Sequence, residues 1–200
     1  MIPPKASAQS SITSTVLAEL CYQYIYDHRN RLVEKKIPGK GWESIVYDNL
    51  DRPVLTQDAN LKESKIWLFT KYDALGRVVY TGRYYLGANS TETRVTLQNT
   101  FNAKIATQNF ETKITMGAGT GFSNTYYSNT NFPDTNLTIW TVNYYDNYNF
   151  NLQESTSSVT SYGVTSTSNV KGLPTDSRVY ADNNKWITTI TYYDDRARPI

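Results

Sequence analysis

The feature that most constrains what this chain can fold into is a hexapeptide, Tyr-Asp-x-x-[Gly/Asn/Asp]-Arg, that recurs along it. Three copies are well formed: Tyr26-Asp27-His28-Arg29-Asn30-Arg31, Tyr47-Asp48-Asn49-Leu50-Asp51-Arg52 and Tyr72-Asp73-Ala74-Leu75-Gly76-Arg77. Two are partial. Tyr145-Asp146-Asn147-Tyr148-Asn149-Phe150 ends in Phe, and Tyr193-Asp194-Asp195-Arg196-Ala197-Arg198 carries Ala at the fifth position. Asn30, Asp51, Gly76 and Asn149, at that fifth position, are the residue types that best tolerate a left-handed backbone. The Asp at the second position has an acceptor for N–H groups two residues on. Each copy therefore predicts an Asx-type turn closed by an αL residue, as in hairpins that carry a G1 bulge. Tyr ends one strand and Arg opens the next, with Ala197 and Phe150 the expected deviations.

The flanks agree, since Tyr22, Tyr24 and Tyr26 alternate with Gln23, Ile25 and Asp27. The copies start 21, 25, 73 and 48 residues apart. The first two intervals fit one hairpin per repeat. The longer ones are near multiples of ~24 and predict two degenerate repeats between Gly87 and Thr141 and one between Asn151 and Ile190. Strand patterns run from Thr91 to Asn99, Thr112 to Met116, Asn136 to Tyr145 and Lys185 to Tyr193, and no helix pattern longer than two turns follows Ile25. Residues Ser10 to Leu20 read as a short helix with Ser14 as cap, or as a polar lead-in. The expected organisation is a lead-in over 1–19, three repeats over 20–86, a degenerate β-rich section over 87–141, and two repeats over 142–200.

Composition points the same way: 17 Tyr and 26 Thr are residues that pack well on a pleated, half-buried surface. No run approaches the ~20 apolar residues a membrane helix needs. The formal net charge of +2 is too small for a nucleic-acid footprint built on bulk electrostatics. One cysteine, Cys21, and one histidine, His28, leave few ways to build a zinc site or a Ser/His/Asp nucleophile. The first residues, Met1-Ile2-Pro3-Pro4-Lys5, lack the apolar core of a secretory signal.

The hexapeptide resembles the signature of the YD-repeat proteins, the Rhs and teneurin-like group, and Tyr72 to Arg77 matches it fully. Ile37 to Glu43, Val46 to Val54, Thr70 to Gly82, Lys171 to Thr175 and Thr188 to Pro199 look like the Bacteroidetes members in particular. The resemblance implies an all-β fold in which consecutive antiparallel hairpins form a twisted or spiralling sheet, with a β-sandwich-like middle section as a variant. It also implies a fragment of a larger secreted or cell-surface protein whose repeats form a shell. In some members of that group the shell encloses a C-terminal toxin. The partners implied are adjacent repeats of the parent chain, an encapsulated C-terminal domain, or glycans.

No catalytic set emerges. Asp27, Asp48, Asp73, Asp146 and Asp194 recur with the turn, and a catalytic pair would not repeat with the fold. Glu34, Glu43, Glu63, Glu92, Glu111 and Glu154 show no spacing that converts into a shared site. Gly117-Ala118-Gly119-Thr120-Gly121 lacks the helix a phosphate loop requires and reads as a hairpin loop. Asp182-Asn183-Asn184 offers too few oxygens for calcium. His28 reads as a solvated turn residue and Cys21 as a small buried hydrophobe. No cofactor is expected, and the segment is read as structural and not as an enzyme. The alternative is a carbohydrate-binding module in which Trp42, Trp67, Trp140 and Trp186 stack on sugar rings; it requires at least two of them exposed and coplanar. The motif arginines are read as partners of turn Asp or of sheet-face Tyr.

Overall fold

The computed structural model describes residues 2–105, 109–114, 125–150, 158–181 and 185–200. It is mostly β. The strands are β1 (Gln23–Tyr26), β2 (Leu32–Lys36), β3 (Glu43–Tyr47), β4 (Pro53–Gln57), β5 (Ile66–Tyr72), β6 (Val78–Tyr85), β7 (Leu137–Tyr145), β8 (Thr160–Ser161), β9 (Val164–Thr165), β10 (Pro174–Ala181) and β11 (Lys185–Ile190). Nine of them form one antiparallel sheet in the order β1-β2-β3-β4-β5-β6-β7-β10-β11, and β8 pairs with β9 in a separate hairpin. The chain divides into two compact units, Met1–Phe69 with Arg83–Asn109, and Thr70–Gly82 with Phe110–Ile200.

Three hairpins break register at the same place. Tyr26 faces Leu32 while Ile25 faces Glu34; Tyr47 faces Pro53 while Val46 faces Leu55; Tyr145 faces Pro174 while Tyr144 faces Asp176. The skipped residues, Val33, Val54 and Thr175, are all buried. This is the extra residue of a bulge, turned inward each time. The incoming strand opens one residue after the motif Arg, at Leu32, Pro53 and Val78, and not at the Arg itself.

In the first unit the core gathers Val46, Leu55, Trp67, Phe69, Leu97 and Phe101, each worth roughly 1.5–3 kcal/mol of apolar burial. Helix α1 spans Pro4–Ser7 and helix α2 spans Ser14–Leu20. The cap of α2 is Thr13, whose hydroxyl accepts from Val16 N–H, and not Ser14. Helix α3 (Ala59–Glu63) is capped by Asp58. Helix α4 (Arg94–Asn102) replaces the strand expected over Thr91 to Asn99. A capping box joins Thr93 and Thr96, and Leu97 and Phe101, four residues apart, put one apolar face inward. That face packs on β3. Among the described residues, no Tyr-Asp turn lies between Gly87 and Thr141, and the expected degenerate repeats there are not seen; an isolated bridge pairs Lys113 with Tyr127. In the second unit the core is aromatic. Tyr80, Tyr127, Tyr144 and Phe150 are buried beside Val79, Val142 and Val170.

Candidate functional site

Four of the five Tyr-Asp copies build one and the same turn. The N–H of the motif Asp donates to the C=O of the motif Arg in Asp27–Arg31, Asp48–Arg52, Asp73–Arg77 and Asp194–Arg198, at 3.0, 3.0, 2.9 and 2.9 Å. The fifth residue, Asn30, Asp51, Gly76 or Ala197, donates its N–H back to the Asp C=O at 3.0–3.2 Å. All four sit at positive φ, between 58° and 79°. Ala197 therefore adopts the motif geometry and is not a deviation. The carboxylate completes the turn. In the third copy Asp73 Oδ1 accepts from the N–H groups of Leu75 and Arg77, both at 2.9 Å, and Oδ2 accepts from Arg77 Nε at 2.7 Å. The same three bonds recur at Asp27, Asp48 and Asp194.

The remaining copy closes elsewhere. Asp146 N–H donates to the C=O of Leu173, Gly172 N–H donates to Asp146 Oδ1 at 2.8 Å, and Gly172 has φ 88°. Gly172 and Leu173 thus stand where Gly76 and Arg77 stand in the third turn, and residues 147–171 are an insertion. Asn149 does not have positive φ, and Phe150 is buried with its ring centroid 4.2 Å from that of Tyr144. The expectation that Asn149-Phe150 closes this turn is corrected. Phe150 is drawn into the aromatic core because an insertion of this length frees it from turn duty.

Neighbouring turns are cross-linked within each unit. Arg31 stacks over the Tyr47 ring at 4.8 Å and pairs with Asp51 at 2.8 Å. Arg77 stacks over Tyr145 at 4.3 Å and grips Asp146 with both terminal nitrogens, at 2.8 and 2.7 Å. Tyr47 donates its hydroxyl to Leu32 C=O, Tyr145 to Val78 C=O and Tyr193 to Pro174 C=O, in each case the first residue of an incoming strand. Arg77 holds the Asp146 carboxyl far below the usual range, helped by Gly172 N–H and Lys113 against the cost of burial. At Asp27, burial pushes the carboxyl up, but the Arg31 side chain and the N–H groups of Arg31 and Arg29 outweigh it and bring it down to about 2. Arg198 likewise lowers Asp194.

The other candidate residues fall out as follows. Trp67 is buried, Trp140 is 40% exposed, and Trp42 and Trp186 are intermediate. Trp186 meets Tyr180 edge-on, at 71° between planes. His28 is exposed in its turn and Cys21 is a buried free thiol. The Gly117–Gly121 loop, the loop Asp182–Asn184 and Glu154 lie outside the described residues. Among the described residues no group of three metal-ligating side chains occurs.

Two buried features escaped the sequence. Lys71, on an inward position of β5, pairs at 2.8 Å with Glu111, which also accepts from Ser128 Oγ at 2.6 Å and from the N–H groups of Thr130 and Asn131. Asp176, 3% exposed, has no partner of good hydrogen-bond geometry on either carboxylate oxygen, and burial pushes it up to about 6 against the pull of the adjacent Thr175 hydroxyl. A poised carboxylate in a cleft would mark an acid or base catalyst. Asp176 lines none of the clefts beside Trp67, beside Leu61 or beside Asp73. Gln98 offers a third surprise. Its amide accepts from Tyr47 N–H at 3.0 Å and donates to Tyr47 C=O at 2.8 Å, imitating a strand partner across 51 residues.

No family model matches the chain, and no curated protein matches it.

Proposed function

We propose that this chain is a non-catalytic structural segment of a large secreted or cell-surface YD-repeat protein, contributing β-hairpins to a shell or scaffold. The observation that carries the reading is the identity of four turns in every hydrogen bond of the motif. A repeated element whose Asp and Arg are consumed in holding the backbone has those groups committed to architecture. The tyrosines and arginines that remain reach sideways to the next turn, which is how a repeat array passes stability between neighbours. Its partners on this reading are further hairpins of the same parent chain and a domain enclosed by them.

The test is the coding sequence on either side. Further Tyr-Asp-x-x-Gly-Arg hairpins at intervals of ~20–25 residues, together with a leader for export, are expected. A reading frame that holds this segment alone overturns the proposal. A second measurement is the state of the isolated chain. The scaffold reading expects no hydrolysis of a panel of aryl glycosides and esters, and turnover abolished by Asp176→Asn without loss of stability would replace it with an enzymatic one.

A further inference from the structure

In the first unit a cleft of about 310 Å³ opens between the sheet and the segment leading into α4. Two of its lining side chains carry donors with nothing to donate to. Trp67 is 2% exposed and its indole Nε1 has no partner, and Nη1 of Arg94 is buried and equally unpartnered. Leaving such groups dry and unpaired is costly, and the cost is largest for a charged donor. The surrounding polar groups are largely held in place: Gln57 by the C=O of Ile66, Ser44 by Glu34, and Lys65 by the C=O of Ser90. Lys62 and Lys65 add positive charge, and the start of the nine-residue helix α4 turns its positive end toward the same cleft at Arg94 and Val95.

We propose that this cleft binds a small carboxylate-bearing molecule, with Trp67 Nε1 and Arg94 Nη1 as the donors to it. Both orphan atoms are donors, so the ligand must bring acceptors. One of them is a guanidinium nitrogen, which favours an anionic acceptor. The remaining lining narrows the class. Glu34 and Glu92 also face the cleft and would repel a multiply charged anion such as phosphate. They accept from hydroxyl or ammonium groups, so the ligand carries such donors beside its single carboxylate. A sugar acid and an amino acid share this chemistry. The cleft volume suits one such molecule, and the site is independent of the turns and of the scaffold reading.

Calorimetric titration of the whole chain at neutral pH and low salt separates the cases, with D-glucuronate, D-glucose and L-serine as probes. Binding of glucuronate or serine, with none by glucose, is expected, and the tighter of the two acids identifies the source of the carboxylate. Arg94→Gln should weaken that binding about tenfold or more, the scale of a hydrogen bond to a charged group. Trp67→Phe, which keeps an aromatic ring in the core but removes the indole N–H, should weaken it several-fold. Should Trp67→Phe not fold, Arg94→Gln, at the first residue of α4 and outside the buried core, decides alone. No binding by either acid, equal binding by glucose, or unchanged affinity in Arg94→Gln overturns the proposal.

Discussion

The third and fourth turns of this protein begin with the same Tyr-Asp pair and end on a glycine at positive φ, Gly76 and Gly172, yet they are closed in opposite ways. In the third, Asp73 takes all its partners from the next four residues. In the fourth, Asp146 is held by Gly172, by Lys113 and by Arg77 of the turn beside it. Leu173 has no guanidinium to offer, and the neighbouring Arg supplies one. A turn of this kind is therefore defined by its first two residues and its αL residue. The residues between them can be two or many, provided the carboxylate is still satisfied.

Four measurements break or sharpen that contrast, each by urea denaturation. The largest effect is expected for Phe150→Arg, which completes the hexapeptide on paper. Because Phe150 is buried against Tyr144, the change should cost about 3–5 kcal/mol, the scale of an emptied or charged aromatic core site. A stabilised variant would mean that Asn149-Phe150 closes the turn after all. Arg77→Met comes next. It strips both Asp73 and Asp146 of a partner and should cost about 2–4 kcal/mol, against about 1 for Arg31→Met, whose outer partner Asp51 is half exposed. Equal losses would deny Arg77 its second role.

Asp176 follows, in the strand position where the other hairpins have Glu34 and Leu55. Its folded value is about 6 against an ordinary 3.8, so the fold favours the protonated acid. Stability from that preference is complete below about pH 4 and is lost as pH rises through about 6. Asp176→Asn should therefore gain roughly 1–2 kcal/mol at pH 7 and nothing at pH 3.5. Asp27 and Asp146 have the opposite sign: their contribution is present above about pH 4 and fades as pH falls further. A stability curve for Asp176→Asn parallel to wild type would remove the buried acid from consideration. The smallest effect belongs to the bulge. Val33 and Val54 fill it in two hairpins and Thr175, with an unpartnered hydroxyl, in the fourth turn's. Thr175→Val should gain about 1 kcal/mol, and a loss would show that the hydroxyl has a partner in solution.

The turns were legible because their chemistry is local: an Asp acceptor and an αL-tolerant residue within six positions write the geometry directly into the chain. Ala197 misled for the same reason, since its neighbours enforce a conformation that its type does not favour. Gly172 and Leu173 were illegible as partners of Asp146 because they lie 26 and 27 residues away, and proximity in sequence is what the motif reads. Helix α4 was masked by its Thr and Asn content and by the alternation of Val95, Leu97 and Asn99. What decided it was the Leu97–Phe101 pair and the grip of Gln98 on Tyr47, a contact no window of sequence contains. The Lys71–Glu111 pair was hidden because a charge at an inward position looks like an error of alternation until its partner is known.

The Arg-to-Tyr stacking between adjacent turns has an evolutionary consequence. Arg31 finds Tyr47 and Arg77 finds Tyr145, so the same plug meets the same socket once in each unit. A crossover that joins the hairpin of Arg31 to the hairpin of Tyr145 would swap one socket for an equivalent one and leave that seam matched. A crossover inside a hairpin would part an Asp from its own Arg. Hairpins that carry both the Arg and the Tyr can then be exchanged or duplicated at such a seam without a compensating substitution, whereas a hairpin closed as the fourth is, with Leu173 in place of Arg, cannot.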